Sequence, residues 1–198
     1  VGTAVHIGAA VLLLGVGTTP AVGQQGISFE GRAGIAVPAG DLGDTHDAGF
    51  AAGLGLGFDL GSRAALAADV ELGAFGKGVA SDGGGGPGPA ADLRLWHLTA
   101  GIELELLDPT MTYWTLTVDG GGGITAFDPD PGEGHTYGAG RAGLSLGYRF
   151  SSEAALVAGV RAYALFVDEA DFEESASFDV RGGTLWTVPI TAGLRLSF

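Results

Sequence analysis

From residue 27 onward the chain repeats one pattern: apolar side chains at every second position, with polar or small ones between them. A period of two is the signature of a strand with one apolar face. Residues 27–37 set Ile27, Phe29, Ala33, Ile35 and Val37 against Ser28, Glu30 and Arg32. Residues 49–60 set Phe50, Ala52, Leu54, Leu56, Phe58 and Leu60 against Gly53, Gly55, Gly57 and Asp59. Residues 64–75 oppose Leu66, Val70 and Leu72 to Asp69 and Glu71. Residues 93–106 oppose Trp96, Leu98, Ile102 and Leu104 to His97, Thr99, Glu103 and Glu105.

The second half continues in the same way. Residues 113–127 place Trp114, Leu116, Val118 and Ile124 opposite Thr115, Thr117, Asp119 and Gly121. Residues 137–150 place Leu144, Leu146, Tyr148 and Phe150 opposite Arg141, Ser145 and Arg149. Residues 154–167 place Leu156, Val160 and Phe166 opposite Arg161 and Tyr163. The eighth run, residues 184–198, alternates Trp186, Val188, Ile190, Ala192, Leu194, Leu196 and Phe198 with Thr187, Pro189, Thr191, Gly193, Arg195 and Ser197.

The connections alternate as well. Short ones (residues 61–63, 107–112 and 151–153) follow runs two, four and six. Longer ones (38–48, 76–92, 128–136 and 168–183) follow the odd runs. Eight antiparallel strands joined alternately by tight turns and long loops predict an all-β, up-and-down transmembrane β-barrel. Its short turns and both termini would face the periplasm. The faces argue for lipid outside: the charged parity also holds most strand glycines, which suits the inside of a narrow tube, and the other parity is richly apolar. On that apolar parity Phe29, Phe58, Trp114, Tyr148, Phe150 and Phe198 fall near the turn side. Phe50, Trp96, Phe166 and Trp186 fall near the loop side, as two interfacial girdles would. The competing architecture, a β-sandwich, does not require that sorting.

Composition narrows the picture. The 198 residues include no Cys, which excludes disulfides and thiolate metal sites. A net charge of −14 leaves no basic stripe for nucleic acid. Residues 1–23 carry no charge and end in Ala21-Val22-Gly23, reading as a signal peptide ahead of a barrel domain at 24–198. The apolar run within it, broken by Gly8 and Gly15, falls short of the about 20 residues of a membrane-spanning helix.

These features together, an export segment, eight alternating strands and an aromatic Phe198, resemble the small eight-stranded outer-membrane barrels of Gram-negative bacteria. That group includes the transmembrane domain of outer membrane protein A and the opacity and adhesin-type proteins. The resemblance implies outer-membrane lipids and the barrel-assembly machinery as partners. It also implies that Ile190, Leu194, Leu196 and Phe198 form the assembly signal. Such a pattern specifies fold far better than activity.

Candidate chemistry is sparse. Gly138 to Gly143 matches G-x-G-x-x-G, but period-two strand follows it where a nucleotide-binding motif needs a helix. Gly143 to Gly147 matches G-x-S-x-G around Ser145, yet no His follows it in the chain. No catalytic residue and no cofactor is therefore assigned, and the chain is read as a non-enzyme. Metal-ligand spacing is lacking; Asp128, Asp130 and Glu133, three carboxylates within six residues, are weak calcium candidates beside a plain solvated acidic loop. Residues 168–174 are denser still in acid, suiting divalent cations or a basic partner.

The main constellation is the lumen face: Glu30, Asp59, Asp69, Glu71, Glu103, Glu105 and Asp119 with Arg32, Arg141, Arg149, Arg161 and Arg195. Enclosed in a narrow tube these charges must pair or hydrate. A charge-paired interior points to a structural or surface-interaction (adhesin-like) barrel with acidic extracellular loops. The alternatives are a narrow pore for water or small ions and, behind it, a membrane-embedded lipid-modifying enzyme.

Overall fold

A computed structural model describes residues 26–76, 92–107, 112–130, 134–167 and 183–198. Eight strands form one closed antiparallel barrel in sequence order. They are β1 (Ile27–Ala39), β2 (Gly49–Asp59), β3 (Ala64–Phe75), β4 (Asp92–Glu105), β5 (Trp114–Asp130), β6 (His135–Arg149), β7 (Ala154–Phe166) and β8 (Thr184–Ser197). The export segment expected at residues 1–23 lies outside the described residues, as do most of the loop at 76–92 and the acidic run at 168–174.

The barrel closes where β1 meets β8, in a register running from Ser28 opposite Ser197 to Ala39 opposite Trp186. Lumen-facing glycines make that seam possible. A Cβ on Gly34 would run into the Ile190 carbonyl, and one on Gly193 into the Gly31 carbonyl. Past the last ladder pair, Phe198 N–H donates to Ile27 O at 2.9 Å and its carbonyl accepts from Ile27 N–H at 3.2 Å. The Phe198 ring meets Phe29 edge-on at 6.1 Å.

Alternation turns the apolar parity outward on every strand. Leu54, Ile35, Leu98, Ile102, Ile124, Leu156 and Ile190 are all exposed. So are the aromatics of both rows, from Phe50, Trp96, Phe166 and Trp186 at one edge to Phe29, Phe58, Trp114 and Tyr148 at the other. An apolar exterior this continuous is unfavourable in water and favourable against hydrocarbon. Closure gives each strand a partner on both sides, so its amides and carbonyls pair without reliance on solvent.

The strand bounds differ from the sequence reading chiefly at the third long connection. Residues expected in that loop continue the sheet: β5 runs to Asp130, with Asp128 opposite Arg94 and Asp130 opposite Asp92. The Pro-rich composition there suggests a turn. Pro129 nevertheless fits because it lies near a strand end, where a lost ladder donor matters least.

Candidate functional site: a layered lumen

The inward parity is sorted by depth into three layers. At mid-barrel lies an ion-pair lattice centred on four arginines from four strands. Arg32 on β1 donates through Nε to Glu71 Oε2 at 2.8 Å and through Nη1 to Asp69 Oδ1 at 2.7 Å. Its Nη1 also lies 3.4 Å from Glu30 Oε1. Arg141 on β6 bridges the other oxygen of Asp69 and Asp119 Oδ1, the latter at 3.0 Å, and donates to Thr99 Oγ1 at 3.1 Å. Arg161 on β7 spans Glu30 and Asp119, each at 3.6 Å. Arg195 on β8 reaches Glu30 Oε2 at 2.7 Å and Glu103 Oε2 at 3.0 Å.

Small residues on the intervening strands make the room. A Cβ at Gly53 would touch the Arg32 guanidinium at 3.0 Å, and one at Gly143 would press on Arg161 Cγ at 2.8 Å. The glycines of β2 and β6 thus let long charged side chains from their neighbours fill a narrow tube. Energetically the lattice is held together by mutual dependence. Replacing all of it with apolar side chains can be neutral, whereas removing one member strands a buried charge at about 3–5 kcal/mol.

Toward the long loops the same inward parity becomes apolar. Phe75, Leu93, Leu95, Phe127, Tyr137, Leu165 and Leu185 form one buried cluster above the lattice. Leu42 enters that cluster from a short 3-10 turn, Gly40–Leu42, whose first residue has a positive φ of 60° that favours glycine. Between cap and lattice, the His97 ring stacks on Tyr163 at 4.1 Å and 11°, and His97 Nδ1 lies 2.7 Å from Thr125 Oγ1.

Toward the short turns the lumen opens into a cup of about 670 Å³, lined by Asp59, Arg63, Glu105, Thr117, Ser145, Arg149 and Ser197 among others, with Glu103 and Arg195 at its floor. Here Arg149 Nη2 pairs with Glu105 Oε1 at 2.7 Å, both side chains partly exposed (30% and 22%).

The twelve charged residues singled out on the lumen face therefore divide. Nine join the lattice (Glu30, Arg32, Asp69, Glu71, Glu103, Asp119, Arg141, Arg161 and Arg195). Glu105 and Arg149 pair in the cup, and Asp59 is exposed at its rim, apart from the lattice. Ile190, Leu194, Leu196 and Phe198 line one exposed outer face of β8.

The calcium candidates fare differently. Asp128 and Asp130 lie in strand β5, not in a loop that can wrap a cation, and Glu133 falls outside the described residues. Among the described residues no three acidic or histidine side chains converge as a metal site would require. The two glycine motifs both lie within β6, where the strand runs on through Ser145 without a turn or helix. The apolar cap is what parity counting on charges alone overlooks. Its signal is present in Leu93 and Leu95, which share the parity of His97, and in Leu185, which shares that of Thr187.

No protein-family model matches the sequence, and no curated protein matches it. Solved structures do. The barrel is similar to neisserial surface protein A at 15% identity and a TM-score of 0.65, covering 87% of this chain and 97% of that one. It is also similar to a major outer membrane protein from Thermus thermophilus (13% identity, TM-score 0.59, 87% and 99% covered). A third is the outer membrane protein OprG from Pseudomonas aeruginosa (14%, 0.55, 88% and 97%). The chain has the fold of the small eight-stranded outer-membrane barrels. For such a barrel, eight strands leave an interior that side chains alone can fill; here the lattice and cap occupy its middle and its loop-side end, and the cup occupies the turn side.

Proposed function

We infer that the protein is an integral barrel of the bacterial outer membrane with a structural or surface-interaction role, presenting acidic loops outside and carrying no catalytic function. The observation that carries this reading is the double closure of the lumen. Among the described residues, an ion-pair lattice crosses the bore at mid-barrel beneath an apolar cap at its loop-side end. A narrow pore for water or small ions would require both layers to part. The apolar exterior and the likeness to outer-membrane barrels support the location.

On the loop side, Asp41, Asp44 and Asp47 precede β2, and Asp92, Asp128 and Asp130 flank the top of β4 and β5. Added to the acidic run at residues 168–174, they give this face a field that attracts cationic partners, whether divalent ions at anionic headgroups or a basic macromolecule. The test has two arms. Cell fractionation with heat-modifiable gel migration should place a folded barrel in the outer membrane. Whole cells displaying the protein should bind polylysine in a salt-sensitive way, and amide replacement of Asp168, Asp171, Glu173 and Glu174 should weaken that binding severalfold. A soluble protein without a heat shift removes the location, and unchanged polylysine binding removes the acidic-loop role.

A further inference from the structure

The enclosed lattice holds five carboxylates (Glu30, Asp69, Glu71, Glu103 and Asp119) but only four guanidiniums (Arg32, Arg141, Arg161 and Arg195). Two of the five, Glu103 and Glu71, pair with a single arginine each. Glu30, Asp69 and Asp119 each touch at least two arginines, and Glu103 opens onto the cup. Glu71, only 1% exposed, meets Arg32 through Oε2 alone, and its Oε1 is buried with no hydrogen-bond partner. A carboxylate at that depth with one oxygen unpartnered is costly.

Directly across the β3–β4 ladder from Glu71 stands His97, also 1% exposed. Its Nδ1 is engaged with Thr125, while its Nε2 has no partner. The face of Tyr163 lies parallel to the imidazole at 4.1 Å, an arrangement that favours a cation over the ring. Three separate observations thus converge: a missing positive charge, an unpaired acceptor across the ladder from an unpaired ring nitrogen, and an aromatic face against that ring.

We propose that the lattice is a proton-binding site, in which His97 holds one proton from bulk water as an imidazolium facing Glu71. Nδ1–H then donates to Thr125 Oγ1 and Nε2–H points to Glu71 Oε1, giving five positive and five negative charges. The groups packed around His97 fit this assignment. Glu71 faces it from β3, the neutral Thr125 and Tyr163 from β5 and β7, and Thr187, opposite Tyr163 on β8, is also neutral. The cations nearest by connectivity, Arg32 beyond Glu71 and Arg141 below through Thr99, oppose the proton, but each is already bound to carboxylates. The proposal concerns the lattice alone and is independent of any surface role.

Nitrogen-15 spectra of imidazole-labelled full-length protein, folded in phospholipid micelles, test it directly. His97 is identified by the signal lost in His97→Gln, and His135 serves as the loop-side reference. The expected result is an imidazolium pattern for His97 at pH 7.5 and a neutral ring in Glu71→Gln at the same pH. A neutral His97 tautomer in the unaltered protein from pH 5.5 to 7.5 overturns the proposal, whether or not the variant folds. An imidazolium that persists in Glu71→Gln overturns the assignment of Glu71 as its partner.

Discussion

The two ends of the lumen obey the same parity yet are built from opposite materials. On the turn side, hydroxyls and partly exposed ion pairs line an open cup; on the loop side, Phe75, Leu93, Leu95, Phe127 and Leu165 fill the bore. The lattice sits between them and belongs fully to neither. The difference teaches that inward-facing in a small barrel is not one environment. A charge at the cup is screened by water, a charge in the lattice survives through its neighbours, and at the cap none is tolerated.

Substitutions at successive depths should separate these environments, beginning with closure itself. Gly34→Val drives a branched side chain into the Ile190 carbonyl at the β1–β8 seam, so no closed barrel and no heat-modifiable gel form is expected. Arg32→Ala deprives Glu30, Asp69 and Glu71 of a shared partner. It should cost about 3–5 kcal/mol of unfolding free energy, read by urea titration in lipid vesicles. Leu95→Ala opens a void in the cap at about 2–5 kcal/mol but leaves the lattice shut, so it should destabilise without creating conductance. Glu105→Gln removes a partly exposed pair in the cup and should cost about 0–1 kcal/mol. If Glu105→Gln proves as damaging as Arg32→Ala, the division between cup and lattice is wrong.

Much of the architecture was legible in the sequence because a period of two leaves few choices. Once Trp186, Val188, Ile190 and Leu194 share a face, Thr187, Thr191 and Arg195 must share the other. Depth was less legible. Leu93 and Leu95 have the parity of His97, but their apolar character makes them resemble the outer face unless parity is carried to the strand end. The pairings were not legible at all. Arg195 meets Glu30 on the adjacent β1 but also Glu103 from β4 across the bore, a contact fixed by the register of the whole ring and by no local spacing. The continuation of β5 through Asp128 and Asp130 was hidden for a different reason, since Pro129 and Pro131 are turn signals by composition while the ladder with β4 overrides them.

The central claim is that lattice and cap together seal the lumen. Single-channel recording of the purified, folded protein in planar lipid bilayers tests it most directly. No steady ion conductance is expected from the unaltered barrel. Reproducible steady openings would contradict the seal and favour the narrow pore.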